Sequence, residues 1–282
     1  MSTHRRSSLL AALGALVLLL VGCSQAPSAA QNSSTADPAI GAYKTLMVSD
    51  DNRMAASTSN HCNTVQDTAC PAAIARVVVT LQQWLDDLNG FQTPARFATI
   101  DGQTKRHLTA VLSYLGLAVV ANRAKDQNGE DRAIAAAINE RGWVDDITLS
   151  IERSATSTAA IYTGSVRSEK AGLDGCEGCQ RTLGMSQLSC DGSAQADCDS
   201  LLRETSTQVE TFEGALILDA APSALSSKDA RLQSDLAQCD TALIAMTGAL
   251  LAGNQSAFNA ARTLLQRAAP AVDADATTVL SG

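Results

Sequence analysis

The sequence predicts an all-α protein that consists of two tandem copies of one helical-bundle unit, with antiparallel up-and-down helices and local disulfides. Three observations lead to this prediction. From Pro38 onward the apolar residues recur at helical spacing, and prolines lie only where helices are expected to begin or end. Aromatic residues make up 3% of the chain, which favours helices packed on small side chains over a strand-rich sandwich. In addition, a set of identical residues recurs at one fixed offset.

The first 22 residues have the features of a cleaved signal peptide. Arg5 and Arg6 precede an apolar run that extends from Leu9 to Val21. As a helix this run reaches about 20 Å, which is short of the roughly 30 Å hydrocarbon core of a bilayer. Residues 1–22 are therefore predicted to be an export signal and not a membrane span.

The end of this leader carries a specific motif, Leu20-Val21-Gly22-Cys23. It resembles the lipobox of bacterial lipoproteins, and the resemblance covers the leader alone. It implies that Cys23 is linked to diacylglycerol, becomes the new N-terminus and anchors the protein at the extracytoplasmic face of the bacterial cell membrane. The alternative is an ordinary secretory leader, which would leave a soluble secreted chain. Residues 23–37 contain no large apolar side chain after the cysteine and are predicted to be a lipidated flexible tether.

Residues 38–153 are predicted to form the first bundle, with four helices joined by short connections. Pro71 opens one helix and Gly90 stops it, while Thr93 and Pro94 start the next. The residues expected on the buried faces include Tyr43, Met47, Trp84, Leu108, Leu115, Val144 and Ile151.

The internal repeat emerges when the chain is shifted by 128 residues. The identical pairs are Cys62 and Cys190, Cys70 and Cys198, Leu88 and Leu216, Pro94 and Pro222, Asp101 and Asp229, Leu108 and Leu236, Leu115 and Leu243, and Gln127 and Gln255. This register predicts a connecting segment over residues 154–189, a second helical repeat over 190–270 and a C-terminal tail over 271–282. The first helix of the second copy is expected to be degenerate, because the glycine-rich stretch 171–180 takes its place.

The cysteines are expected to form disulfides, because an exported chain meets an oxidising compartment. Lipidation uses Cys23, and Cys239 lies on an apolar stripe where an inert buried thiol is expected. Two C-x7-C elements each close a short loop at the start of a helix. They predict the disulfides Cys62–Cys70 and Cys190–Cys198, each of which stabilises the fold by about 2–3 kcal/mol.

Cys176-Glu-Gly-Cys179 is the one element of the sequence whose spacing suits a redox or metal-binding function. A structural disulfide, a redox dithiol and half of a zinc site are all compatible with it. The zinc site would combine Cys176, Cys179, Cys190 and Cys198, and a thioredoxin-like site would need a strand before the motif, which the pattern does not predict. We favour the disulfide, so no metal and no cofactor is predicted.

Composition and motifs exclude several classes of function. The formal net charge of -8 argues against nucleic acid as a partner, because phosphate binding needs a basic face. Nucleotide, hydrolase and zinc-protease motifs and the paired E-x-x-H of di-iron bundles are absent from the sequence, so no catalytic residue is predicted. His107 is expected to be a solvated or hydrogen-bonded residue at a helix edge. The acidic pairs Asp50-Asp51, Asp86-Asp87 and Asp145-Asp146 are expected on solvated helix faces.

These observations predict a membrane-anchored, extracytoplasmic and non-enzymatic binding module of the cell envelope. Its acidic surface suits docking to a basic envelope protein. The main alternative is a thiol-redox or metal-handling protein that uses Cys176 and Cys179. A third candidate is a receptor for a small ligand of unknown identity, with its pocket between the two bundles.

Overall fold

The computed structural model describes residues 38–57, 68–183 and 195–281. The helices in these ranges are α1 (Pro38–Ser57), α2 (Cys70–Gly90), α3 (Ala98–Ala124), α4 (Gln127–Arg153), α5 (Ala159–Gly175), α6 (Glu177–Leu183), α7 (Gln195–Leu218), α8 (Ser226–Leu251) and α9 (Gln255–Leu280). The prediction of an all-α fold is confirmed. The leader and tether with Cys23, and the cysteines Cys62 and Cys190, lie outside the described residues.

Two very short strands accompany the helices. β1 (Ala155–Thr156) follows α4, β2 (Asp219–Ala220) follows α7, and the two strands pair in parallel. Each strand has two residues, so this pairing joins two loops and does not form a layer of the fold. Within the described ranges no helix is long and apolar enough to cross a membrane.

The apolar faces of the helices form two hydrophobic cores. Helices α1 to α4 build the first core around Trp84 and Leu108. Helices α5 to α9 build the second core around Phe212 and Leu236. The two cores meet where α3 and α4 contact α7 and α8, and Ile217 of α7 packs in the first core.

The structure contains helices on both sides of the predicted second repeat. The predicted connecting segment, residues 154–189, contains α5 and α6, and most of the predicted tail, residues 271–282, belongs to α9. Helix α9 continues through Pro270 because Val272, Ala276 and Val279 are buried in the second core. This burial outweighs the backbone hydrogen bond that a proline removes from a helix.

Element boundaries recur at the 128-residue offset. The corresponding boundaries are the ends of α2 and α7 at Gly90 and Leu218, the 3₁₀ turns Ala95–Phe97 and Ser223–Leu225, and the starts of α4 and α9 at Gln127 and Gln255. Two helical hairpins result, one of α3 and α4 and one of α8 and α9. Within each hairpin the two helices contact each other extensively.

Candidate metal centre

A cluster of charged side chains is buried where the two cores meet. His107 lies on α3, Glu140 on α4, Glu210 and Glu213 on α7, and Asp240 on α8. His107 and Asp240 have 0% of their surface exposed, Glu213 has 2% and Glu140 has 3%, whereas Glu210 is half-buried. We call these five residues the histidine–carboxylate cluster.

Helical spacing places the cluster residues on the buried faces of their helices. On α3, His107 follows Ile100 by seven residues and precedes Val111 by four, so the three side chains share one helix face. Ile100 and Val111 are both core residues. Glu210 and Glu213 are three residues apart on α7 and therefore share one face of that helix. The packing of α3 and α4 on α7 and α8 then brings these faces together.

His107 is held by a carboxylate at each ring nitrogen. Its Nδ1 lies 2.6 Å from Oε2 of Glu140, and its Nε2 lies 2.9 Å from Oδ2 of Asp240. The Trp143 ring stacks on the imidazole with a centroid distance of 3.8 Å and an interplanar angle of 12°. Burial lowers the pKa of His107, but Asp240 and Glu140 outweigh burial and raise it to about 10.

The two glutamates of α7 have polar neighbours of their own. The Gln103 side-chain amide donates to Oε1 of Glu213, and the Ser206 hydroxyl donates to Oε1 of Glu210 over 2.9 Å. Burial, assisted by the charge of Asp240, raises the pKa of Glu210 to about 8 although His107 acts against it. Burial also raises the pKa of Glu213 and of Glu140. Desolvation is therefore the main cause of all three shifts.

The cluster has more acceptor groups than its neighbours satisfy. Oε2 of Glu213 and Oδ1 of Asp240 are buried and have no hydrogen-bond partner among the described residues. A buried carboxylate oxygen without a partner costs free energy, and the imidazole of His107 contacts two of the four carboxylates. Protons, ordered water or a cation can supply the missing partners.

The positions of the side chains suit a single metal ion. One ligand atom each from His107, Glu210 and Asp240 lie within 4.8 Å of one another. Atoms that bind one ion at about 2.0–2.2 Å lie at most about 4.4 Å apart, so small movements of these side chains would bring the three atoms onto one ion. Glu213 shares a helix face with Glu210 and has a free oxygen. Glu140 contacts Nδ1 of His107. In many metal sites a carboxylate that does not bind the metal holds the second ring nitrogen of a histidine ligand in this way and orients the ring. One imidazole with carboxylates and no thiolate suits Mn²⁺, Fe²⁺ or Zn²⁺.

The cysteines singled out by the sequence lie elsewhere. The Sγ atoms of Cys176 and Cys179 are 2.23 Å apart, at disulfide bonding distance. Cys239 is a buried free cysteine, and burial raises the pKa of its thiol. The predicted pairs Cys62–Cys70 and Cys190–Cys198 stay predictions, because one member of each lies outside the described residues.

Other polar residues depart from their expected surroundings. His107 was expected to be a solvated or hydrogen-bonded residue at a helix edge. It is hydrogen-bonded, but it is fully buried and does not lie at a solvated edge. Asp50, expected on a solvated face, is buried and pairs with Arg53. Its neighbour Asp51 pairs with Arg141 at 2.5 Å. Of the other acidic residues expected on solvated faces, Asp86, Asp145 and Asp146 are exposed as expected.

Fold and cluster together define an all-α protein with a buried histidine–carboxylate centre. No protein-family model matches the chain, and comparisons with curated proteins and with solved structures gave no match. Its function is therefore inferred from its own residues.

Proposed function

We propose that this protein is an exported, lipid-anchored helical module that binds a divalent transition-metal ion in the histidine–carboxylate cluster. The observation that carries this proposal is the pair of buried oxygens without partners, Oε2 of Glu213 and Oδ1 of Asp240, beside His107. A cation supplies the interaction that both oxygens lack. The resemblance of the leader to a lipobox at Cys23 supports a location outside the cytoplasm, and the net charge of -8 suits docking to a basic envelope protein.

Each residue of the cluster has a distinct role in this proposal. Nε2 of His107 and the carboxylates of Asp240 and Glu210 are ligands, and Glu213 supplies a further oxygen. Glu140 accepts the Nδ1–H of His107, and metal binding displaces the Nε2 proton that faces Asp240 in the metal-free protein, so that the Nε2 lone pair becomes a ligand. Because the ligands come from α3, α7 and α8, a bound ion joins the two hydrophobic cores. The protein then binds metal without catalysing a reaction.

Metal content and thermal stability test this proposal. After treatment with a chelator, the purified protein is expected to take up one Mn²⁺, Fe²⁺ or Zn²⁺ ion per chain, measured by elemental analysis. At a concentration one hundred times the Kd the ion stabilises the fold by about 2.7 kcal/mol. Asp240→Asn and Glu213→Gln keep the size of the side chains but remove ligand charge, so both should weaken binding by about tenfold or more.

The matched control is Asp146→Asn, because Asp146 is an exposed carboxylate on α4. This variant should bind metal as the unchanged protein does. If none of the three ions binds, or if Asp240→Asn and Asp146→Asn bind equally well, the proposal fails. The cluster is then a metal-free network in which the carboxylates share protons.

For the Cys176–Cys179 pair we propose a structural role in place of the redox or zinc alternatives. Cys179 is 0% and Cys176 is 8% exposed, whereas thiol–disulfide exchange requires access of a thiolate to sulfur. Zinc binding requires thiolates. Two sulfur atoms that are joined in a disulfide are not thiolates and cannot bind zinc in that way.

The tandem repeat is also part of this proposal, and equivalent contacts support it. The Tyr43 hydroxyl donates to Asp101 over 3.1 Å, and the Tyr162 hydroxyl donates to Asp229 over 2.6 Å. The two aspartates are 128 residues apart, whereas the two tyrosines are 119 residues apart. We therefore propose that α5, not the glycine-rich stretch 171–180, is the first helix of the second copy. Buried residues at the same 119-residue offset are Met47 and Val166, and Met54 and Leu173.

The turns after α3 and α8 offer a test of this equivalence. Lys125 and Gly253 lie 128 residues apart and adopt left-handed φ angles of 61° and 63°. A side chain with a Cβ atom is strained there, so Lys125→Gly is expected to stabilise the protein by about 0.5–1 kcal/mol. Gly253→Lys should destabilise it by a similar amount, because a Cβ at this position meets no atom within 4 Å and only backbone strain changes. Urea unfolding measures both effects, and shifts of the same sign would contradict the equivalence.

A further inference from the structure

The described residues enclose a cavity of about 400 Å³ in the second core, with a wall formed by α5, α6, α7, α8 and α9. The most deeply buried part of the wall consists of Val209, Phe212, Leu236 and Cys239, each with at most 1% of its surface exposed. The volume falls within the range of small-molecule sites, which are mostly apolar. None of the residues in the wall belongs to the histidine–carboxylate cluster.

The equivalent place in the first core is occupied by side chains. In the tandem repeat proposed above, on which this comparison rests, Trp84 corresponds to Phe212 and Arg141 to Ala269. The guanidinium carbon of Arg141 lies 5.4 Å from the centroid of the Trp84 ring, so the arginine covers that ring. Ala269 has no atoms beyond Cβ with which to cover Phe212, and both residues line the cavity. The second core therefore has open space where the first core has a planar group.

The charged residues in the wall of the cavity are paired with one another. Nζ of Lys170 lies 2.8 Å from Oδ2 of Asp174 and 2.6 Å from Oδ1 of Asp273. In the first core the counterpart of Asp273 is Asp145, which pairs with Arg141. Lys170 thus supplies at Asp273 the positive charge that the arginine supplies at Asp145, but it supplies no planar group. Within the described part of the chain, the wall has no charged side chain that lacks an ionic partner.

We infer that this cavity binds a small, neutral aromatic molecule whose ring packs against Phe212, in the place that the Arg141 guanidinium takes in the first core. Aromatic rings attract one another in offset and edge-to-face arrangements. The sulfur of Cys239 in the same wall favours contact with a ring, and its thiol is neutral because burial raises its pKa. A charged ligand would lose its hydration without gaining a partner of opposite charge. The inference goes beyond metal binding and supports the alternative of a small-ligand receptor, with its pocket inside the second core.

Calorimetric titration of the chelator-treated protein with indole tests this inference, with indole-3-acetate as the charged comparison. Indole is expected to bind with one-to-one stoichiometry, and indole-3-acetate is expected to bind about tenfold more weakly or worse, because its carboxylate finds no free cation in the wall. Ala269→Leu extends a side chain into the cavity and should reduce the affinity for indole by about tenfold or more. Ala274→Leu is the matched control, because Ala274 is exposed on the same helix and lies outside the wall.

The melting temperatures of the ligand-free variants separate loss of space from loss of folding. Ala269→Leu fills empty volume with apolar atoms, so it should melt at the same temperature as the unchanged protein or higher. The inference is overturned if indole does not bind at millimolar concentration, if indole-3-acetate binds as well, or if Ala269→Leu binds indole unchanged. It is also overturned if Ala269→Leu melts several degrees lower, because the space is then too small for a ring. The repeat is tested separately by the Lys125→Gly and Gly253→Lys variants, so either proposal can fail without the other.

Discussion

Replacement of His107 by alanine is expected to lower the free energy of unfolding of the metal-free protein by about 3–5 kcal/mol. The imidazole bridges two carboxylates that are almost fully buried, Glu140 and Asp240. Its removal leaves both groups without their cationic partner and also removes the ring on which Trp143 stacks. Urea unfolding of chelator-treated protein, followed by circular dichroism, measures the loss.

Two further variants identify the cause of this loss. Thr109→Ala is the control on the same helix, because Thr109 is exposed and its substitution should change stability by less than about 0.5 kcal/mol. Adding Glu140→Gln and Asp240→Asn to His107→Ala removes the unpaired charges and should restore part of the stability. If the triple variant is no more stable than His107→Ala, the loss comes from the empty volume of the ring and not from buried charge. If His107→Ala unfolds at the same urea concentration as the unchanged protein, the carboxylates are solvated and the cluster is not the buried centre described above.

Much of the fold could be predicted from the sequence, because the formation of a helix and the position of its buried face depend mainly on residues that are close together in the sequence. Trp84 and Leu108 were expected on buried faces from apolar spacing, and both are fully buried. Pro270 was misleading, since the end of a helix at a proline depends on whether burial beyond it compensates for the lost hydrogen bond. Val272 and Val279 provide that burial.

The candidate centre was harder to predict, because its residues are distant in the sequence. His107 and Asp240 are 133 residues apart, and helical spacing reveals which face a residue occupies but not which helices meet. A usable signal was nevertheless present. His107 continues the stripe of Ile100 and Val111, and Asp240 lies between Leu236 and Leu243, so each charged residue interrupts an apolar face. A titratable residue within a buried stripe is a candidate for a site, because burial of its charge must be compensated.

The absence of the E-x-x-H motif does not bear on an arrangement of this kind. That motif places a carboxylate and a histidine on one helix, but here the histidine and its carboxylates lie on four different helices. The related spacing on α7 is Glu210-x-x-Glu213, which directs two carboxylates to one side. Tertiary packing supplies the imidazole from α3. A search for motifs within one segment therefore could not detect this arrangement.

Replacement of Cys23 by alanine is expected to release the protein from the membrane or to block its processing. In the proposal the cysteine carries two or three acyl chains, and each buried CH₂ contributes about 0.8 kcal/mol, so two chains hold the protein on the bilayer stably. The unchanged protein should fractionate with membranes, and its intact mass should exceed that of the polypeptide 23–282 by a diacylglyceryl group, with or without a third acyl chain. Ser24→Ala, which keeps the cysteine of the lipobox, is the control and should remain with the membranes.

The Cys23→Ala variant also separates anchoring from metal binding. The proposed ligands lie between His107 and Asp240, far along the chain from the lipobox, so the variant should take up the ion with unchanged affinity while its location changes. A Cys23→Ala protein that is processed normally and stays on the membrane would refute lipidation. Loss of metal binding in a folded, released Cys23→Ala protein would instead show that the centre requires the membrane-anchored state, because no proposed ligand has been altered.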